Sequence, residues 1–496
     1  MATATAPEAA TAVTTATEAP PSLIDQIIEK GGMAKVEEQK PYARDLLGEL
    51  ATQVLEGSLT FKKDTVTSIN ERIAQIDKLI QDQLNPILHA EPFQRLEASW
   101  RGLHYLVKNT ETSTSLKLRL LNVTKKELLD DLQKAVEFDQ SVLFKMIYEE
   151  EYGTFGGHPI GLLIGDYEFG RLPQDIALLE ELSHVAAAAH APLIAAASAQ
   201  LADMDSFAQL GAPRDLAKIF ESTELIKWNS LRNSDDARYL ALVLPHVLLR
   251  LPYGPKTLPV DGLQFEEDVD GKDHKKYLWG NAGYALGVCI TNAFAKYQWC
   301  AAIRGVEGGG LVEGLPTHTF KTDEGDIALK CPTEIAITDR REKELNDLGL
   351  IALCHCKNTD YAAFFGGQTV NRPKLYDTDA ANANSRLSAL LPYILAASRF
   401  AHYVKAITRE KIGSFMTREN LSQYLNRWIK FYTLANDDAG QELKAKSPLK
   451  DARVDVLDVP GKPGAYTAVL FLQPHFQLEE LTASIRLVAN LPAPPA

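Results

Sequence analysis

The sequence predicts a mixed α/β fold, and three observations predict it. An apolar stretch, a helix-length stretch and a second apolar stretch follow one another between Gly157 and Ser198. That is the spacing of a βαβ unit, and therefore of at least part of a parallel sheet. A long helical region precedes it, and alternating, strand-like segments close the chain. At 496 residues there is room for two or three domains of roughly 100–200 residues each. No internal repeat of fixed period is present.

The first element follows a tail of mostly Ala and Thr. In "PPSLIDQIIEKGG" (Pro20–Gly32), Leu23, Ile24, Ile27 and Ile28 line one face of a helix of about two turns. Ser22 and Asp25 supply a capping box and Gly31-Gly32 the stop. Alone in water so short a helix is marginal, so it implies a surface to bind. From Val36 to Val107 the pattern stays helical. Ile69, Ile73, Ile76, Leu79 and Ile80 form one stripe that Pro86 ends or kinks. Phe93, Leu96, Trp100, Leu103, His104 and Val107 form another, and both stripes read as internal core. Alternation at Leu116, Leu118 and Leu120 predicts a strand, and Thr124 with Glu127 a capped helix.

The βαβ unit takes "GHPIGLLIGDY", "LPQDIALLEELSHVAAAA" and "APLIAAAS". Further strands are expected at "YLALVLPHVLLRL", "EIAIT" and "GLIALCHC", with a short helix framed by Asp339, Glu342 and Gly349. The polar stretch Gln368–Asn384 marks a boundary. Beyond it come a helix from Ser385 to Lys411 broken near its start by Pro392, a helix carrying Leu421, Leu425, Trp428 and Tyr432, and three strands: "ARVDVLDV", "AYTAVLFLQ" and "LTASIRLVANL".

The balance of 52 basic against 65 acidic residues, net −13, argues against a nucleic-acid or anionic-membrane binder. Five scattered cysteines do not make a disulfide framework. With no apolar leader before Lys30 and no membrane-length apolar run, the expected location is a reducing cytoplasm. Chemistry is sparse. The glycine loop Arg304–Pro316 lacks the Lys and Ser/Thr of a phosphate cradle and carries Glu307 and Glu313. In "CHC", Cys354 and Cys356 share a strand face while His355 points the other way, and no second Cys pair is near, so no metal site is expected. Asp166 and Glu168, at a strand end, leave an acidic enzyme site as the alternative reading.

Three features suggest interaction instead. They are the N-terminal helix, the apolar C-terminal strands and the basic Ser385–Lys411 helix. The residues alone favour strands that close within their own chain.

"EPFQRLEASWRGLHYLV", "GDYEFG", "RLPYG", "WGNAGYA", "PTEIAITDRREKELNDLGLIAL" and "RFAHYVKAITREKIGSFM" resemble the large subunit of the type VI secretion contractile sheath, the TssC/VipB family. The resemblance covers nearly the whole chain after about residue 20. It implies a non-enzymatic structural protein with a phage-tail-sheath-like core and no cofactor. The implied partners are a small sheath subunit (TssB/VipA-type), further copies in a helical polymer, the Hcp inner tube, a ClpV-type AAA+ unfoldase and the baseplate, without membrane insertion. It implies that residues 1–32 hold the tail and the unfoldase-recognition helix, read at Leu23, Ile24, Ile27 and Ile28. Residues 33–110 would pair with the small subunit, 111–380 would form the α/β core, and 381–496 would carry helices and strands for assembly. It reverses the reading of the C-terminal strands, making Val469, Phe471, Ile485 and Leu487 part of an inter-subunit strand exchange. Arg399, Lys405 and Arg409 become the candidate inner-tube contact.

Overall fold

A computed structural model describes residues 22–34, 36–56, 65–414, 416–436, 438–461 and 465–477. The chain divides into two compact units, Met1–Gln83 with Asp261–Phe265, and Leu84–Val260 with Glu266–Ala496.

In the first unit, α1 (Leu23–Lys30) is capped by the Ser22 hydroxyl, which accepts the Asp25 N–H at 3.2 Å. Gly32, at φ +60°, ends it in a Schellman turn: Gly32 N–H donates to Glu29 O and Met33 N–H to Ile28 O. α1 packs on α2 (Lys40–Leu55), joined by Arg44 to Asp25 at 2.9 Å and Lys40 to Glu29 at 3.3 Å. α3 (Thr65–Leu88) runs on past Pro86 instead of stopping there. Its stripe is not core: Ile69, Ile73, Ile76, Leu79 and Ile80 are all exposed.

In the second unit, α4 (Glu91–Lys108) also turns its predicted inner face outward, with Leu96 and Trp100 57% and 62% exposed. The helix meets the core through Gly102 and Leu106. A Cβ on Gly102 would lie 2.5 Å from the Tyr284 ring, so only glycine allows this approach. The segment 114–124 forms no strand; Leu116 and Leu118 are half-buried and Leu120 is exposed. α5 (Lys125–Lys134) carries the expected Thr124–Glu127 capping box. α6 (Val142–Phe144) continues into a π-helical stretch, Lys145–Tyr152.

The centre is a six-stranded sheet in the order β1-β2-β3-β9-β10-β6. β1 (Leu163–Phe169), β2 (Leu193–Ala197), β3 (Leu240–Leu244) and β9 (Leu350–His355) pair in parallel, and β10 (Ala362–Phe364) joins β9 and β6 (Leu311–Val312) antiparallel. α7 (Pro173–Ala189), α8 (Leu216–Phe220) and α9 (Ile226–Asn233) contribute to the core that covers one face, against Leu193, Ala195 and Leu242. α10 (Gly283–Tyr297) covers the other, against Ile194, Ala241, Val243 and Ile351. Burial on both faces is why these strands read as unbroken apolar runs. Two further short antiparallel pairs form outside this sheet: β4 (Val247–Leu248) with β5 (Trp279–Gly280), and the hairpin β7 (Thr319–Lys321) with β8 (Ile327–Leu329).

Two further local expectations fail. "EIAIT" is not a strand; Thr333 bridges Val247 and its hydroxyl donates to Ile335 O, curling the backbone. α11 (Asp339–Asp347) begins at Asp339 with Thr338 at the cap, so Asp339 and Glu342 form no capping box, although Gly349 does end it at φ +81°. The long helix is two: α12 (Asp379–Leu387) and α13 (Leu391–Lys411), with Pro392 starting the second one. α14 (Arg418–Lys430), α15 (Gln441–Lys446), β11 (Leu449–Asp458) and β12 (Tyr466–Pro474) complete the described chain. The strand expected at Leu481–Val488, with Ile485 and Leu487, lies outside the described residues.

Candidate functional site

β11 and β12 pair antiparallel, and one face of this hairpin closes a small core. Ala452, Val454 and Val456 are buried there, with Ala468, Leu470 and Leu472 beside them, against Phe400, Leu425 and Ile429. The opposite face carries Arg453, Leu457, Val469 and Phe471, with the Arg453 guanidinium 4.6 Å above the Phe471 ring. Leu457 and Phe471 stay 51% and 49% exposed.

The two edges differ. On β11, the Asn426 side chain takes both backbone groups of Val454, accepting its N–H at 3.0 Å and donating to its carbonyl at 2.6 Å. Further along, Leu434 N–H donates to Leu449 O, and Leu449 N–H to Tyr432 O. That edge is blocked at Val454 and Leu449. Because the Val454 groups face away from β12, the Val454–Leu470 pair is a non-hydrogen-bonded one. The alternation then turns the backbone N–H and C=O of Ala468, Leu470 and Leu472 outward, along an edge with no third strand among the described residues.

The basic side chains of α13 turn onto their own chain. The Arg399 guanidinium lies 4.8 Å from the Tyr403 ring centre, and the Lys405 ammonium 3.5 Å over Tyr152 and 4.6 Å over Tyr148. Arg409 donates to Tyr152 O at 2.9 Å and Thr154 O at 2.8 Å, satisfying carbonyls at the end of the π-helical stretch. An inner-tube contact through these three would have to open those bonds. In α1, the four predicted residues divide: Ile28 is buried, Ile24 half-buried, and Leu23 and Ile27 are 76% and 45% exposed.

The acidic residues at the end of β1 also part company. Asp166 lies 3.5 Å from the Asn281 amide, whereas Glu168 meets His246 Nε2 at 2.9 Å. His246 Nδ1 lies 2.6 Å from Glu334, whose other oxygen accepts from Ser206 Oγ at 2.5 Å and Phe207 N–H at 3.1 Å. Burial disfavours the imidazolium, but hydrogen bonds and charge from Glu168 and Glu334 outweigh it and push the His246 pKa up to about 10. Burial opposes ionisation of Glu334, and far less that of Glu168, whose side chain is 54% exposed; His246 nevertheless holds both carboxylates below the usual range. Both ring nitrogens are thus engaged by carboxylates, tying the end of β1 to the loop at Glu334 and leaving no free nitrogen for proton transfer. Ser206 donates to Glu334 instead of to the histidine, so no nucleophile–base pair forms.

The glycine loop holds no cradle. Gly305 N–H donates to Phe364 O, Gly310 N–H to Gly305 O, and Phe364 N–H to Gly310 O, which ties both ends of the glycine run to β10 and to each other. A Cβ at Gly310 would lie 2.6 Å from Phe364 O, so glycine here serves close packing. Among the described residues no cluster of His, Cys, Asp and Glu could hold a metal, and no helix is long and apolar enough to cross a membrane.

The VipB tail sheath N-terminal domain (EvpB/VC_A0108) matches residues 70–371, and the VipB tail sheath gpW/gp25-like domain matches residues 380–491. The type VI secretion system sheath protein TssC1 of Pseudomonas aeruginosa is 49% identical over 462 residues, covering 92% of this chain and 93% of that protein. The chain belongs to the VipB tail sheath family. Solved structures of contractile injection systems are similar at lower levels. One is the anti-feeding prophage baseplate, at TM-score 0.35 and 10% identity, covering 64% of this chain and 66% of that one. Another is the PVC sheath complex in its contracted state, at TM-score 0.33 and 8% identity, covering 62% and 68%.

Two of the VipB-like sequence blocks form one buried network. Arg250 of "RLPYG" donates to Glu267 through both terminal nitrogens, at 2.6 and 3.1 Å, and through Nε to Glu97 of "EPFQRLEASWRG" at 2.8 Å. Arg101 reaches Glu97 at 2.7 Å and the Tyr253 hydroxyl at 3.0 Å. The Tyr253 N–H and His89 complete the shell of Glu267, at 2.9 and 3.2 Å. This network fastens α4 to the loop after β4 in the sheath subunit. Sequence reasoning found the blocks but not their joint; nor did it find His246, a polar residue inside an apolar stretch, or Asn426, one polar residue among many on its helix.

Proposed function

We propose that this chain is a structural, non-enzymatic subunit that assembles with a small sheath subunit into a helical tube around an Hcp inner tube. Contraction drives the inner tube forward, and a ClpV-type AAA+ unfoldase then recycles the sheath in the cytoplasm. The observation that carries the assembly reading is the hairpin edge. One side is blocked at Val454 by Asn426, while the other offers the outward groups of Ala468, Leu470 and Leu472 beside an exposed apolar face. Such an edge accepts a strand from a neighbour, and Leu481–Val488 of an adjoining subunit is the proposed donor. The exposed stripes on α3 and α4 suit pairing with the small subunit, since apolar rows of this length on a stable subunit call for cover. Leu23 and Ile27 are proposed as the outward part of the unfoldase handle.

Ala468→Pro tests the edge. It removes an outward N–H while leaving the β11–β12 ladder intact, because that donor does not point at β11. The expected result is a folded chain that co-purifies with the small subunit but forms no tubes by negative-stain microscopy. Normal tubes would return the hairpin to a purely internal role.

A further inference from the structure

We propose that residues 117–122, beside the edge of the central sheet, are a docking strand that pairs through its main chain with an extended partner segment, apolar at alternate positions and acidic between them. The stretch "LKLRLLNV" (Leu116–Val123) alternates as a strand should, yet it belongs to no sheet. From Lys117 to Asn122 no backbone N–H or C=O has a hydrogen-bond partner among the described residues. Main-chain groups at the margin of a core are normally paired, so six consecutive residues without a partner mark a place where a ladder is missing.

The side chains are already set for one. Leu116 and Leu118 are half-buried, Leu118 against the cluster of Leu106, Tyr284 and Val288, while Lys117 and Arg119 are exposed. That is the two-faced pattern of a strand without its ladder. The far end of the segment is fastened to β1. The Tyr167 hydroxyl donates to Val123 O at 2.6 Å, and the Lys125 ammonium to Glu168 O at 2.7 Å. β1 is an outermost strand of the six-stranded sheet, so a strand arriving here adds to an existing edge.

Charge and shape decide the occupant. Lys117 meets only His158, at 3.3 Å, and Lys108 has no carboxylate partner among the described residues; Glu151 is taken by Arg119, and Glu111 bonds to neither lysine. Two ammonium groups without an anion, on a chain of net −13, favour an acidic segment of a different protein over a second copy of this acidic chain. Val107, Thr112, Ser113, Leu116, Lys117 and Leu118 line an open groove that would take its apolar side chains. Val107 also ends the exposed row of α4 that begins with Leu96 and Trp100. The groove thus continues the surface given above to the small sheath subunit, and the inference rests on that reading for the partner's identity: the entering strand belongs to the small subunit.

Hydrogen–deuterium exchange of the full chain, alone and co-purified with the small subunit, tests the docking strand. The amides of 117–122 should exchange freely in the chain alone and on the order of a hundredfold more slowly in the complex. Lys117→Glu should weaken co-purification about tenfold. Leu120→Pro, at a position 67% exposed, should return the remaining amides to fast exchange without loss of helix content. Protection already present in the isolated chain would overturn the proposal, because the segment would then be paired within its own subunit. A complex that forms while these amides still exchange freely would overturn it and leave the small-subunit reading standing; failure of any complex to form would overturn both. Protection that arises only on self-association, without the small subunit, would give the site to a second copy and refute the acidic partner.

Discussion

Glu267→Ala should isolate the charge at the centre of the buried network. The Arg250 side chain is 5% exposed and that of Glu267 1%, so neither is rescued by water. The substitution deletes both Arg250–Glu267 hydrogen bonds and strands the Tyr253 N–H and His89. Removing one partner of a buried pair costs about 3–5 kcal/mol. Arg250 keeps Glu97 at 2.8 Å, which places the expected loss near the lower end, about 3 kcal/mol. At roughly 2 °C per kcal/mol for a large domain, the chain should melt about 6 °C lower by circular dichroism. Replacing the pair together, Arg250→Met with Glu267→Leu, should recover much of that, because the cost lies in the orphaned charge more than in the lost attraction. A Glu267→Ala chain melting within about 1 °C of the parent would refute the reasoning, since only a solvated network tolerates the change.

The His246 clamp predicts two pH limits. Its folded pKa of about 10 lies above the unfolded value near 6.5, so its contribution is full below about pH 6.5 and lost as pH rises through 10. Glu168 and Glu334 are depressed, so theirs is present above the ordinary carboxylate range and lost as acid protonates them. The stability difference between the parent and His246→Gln should therefore shrink towards pH 10–11; a constant difference from pH 7 to 11 would contradict the clamp. In α1, Leu23→Asp with Ile27→Asp should weaken unfoldase binding in a pull-down while helix content is unchanged. Ile28→Asp should instead loosen α1 from α2, giving faster proteolysis near Gly32. Equal effects from both would mean that the handle is one undivided face.

The βαβ unit was legible because both sheet faces are covered by their own chain, so apolar runs such as Leu193–Ala197 mark strands directly. At Leu116–Leu120 the same logic misleads. Alternation reports which side chains are sheltered, not whether a neighbouring backbone is there to pair with. The stripes of α3 and α4 fail for a related reason: an apolar row looks the same whether its cover is internal or another molecule. On α4 the decisive residue is Gly102, whose missing side chain lets Tyr284 approach and turns Trp100 outward. The basic row of α13 looked like an open charged face, but Arg399 lies over Tyr403 one turn along its own helix, and the rings that receive Lys405 are distant in sequence. At the hairpin, "AYTAVLFLQ" announced a strand apolar on both faces. No local pattern announced that Asn426, on a preceding helix, would occupy one edge.

That single amide limits a valence. A two-stranded sheet open on both sides is a template for lateral growth without limit, the geometry of aggregation. With Val454 answered from within, a strand approaching the β11 side meets a blocked position at its middle, and the β12 side is the freer of the two. Under the proposed strand exchange each hairpin would then act as a socket for one strand, which favours a ladder of defined connectivity over a spreading sheet.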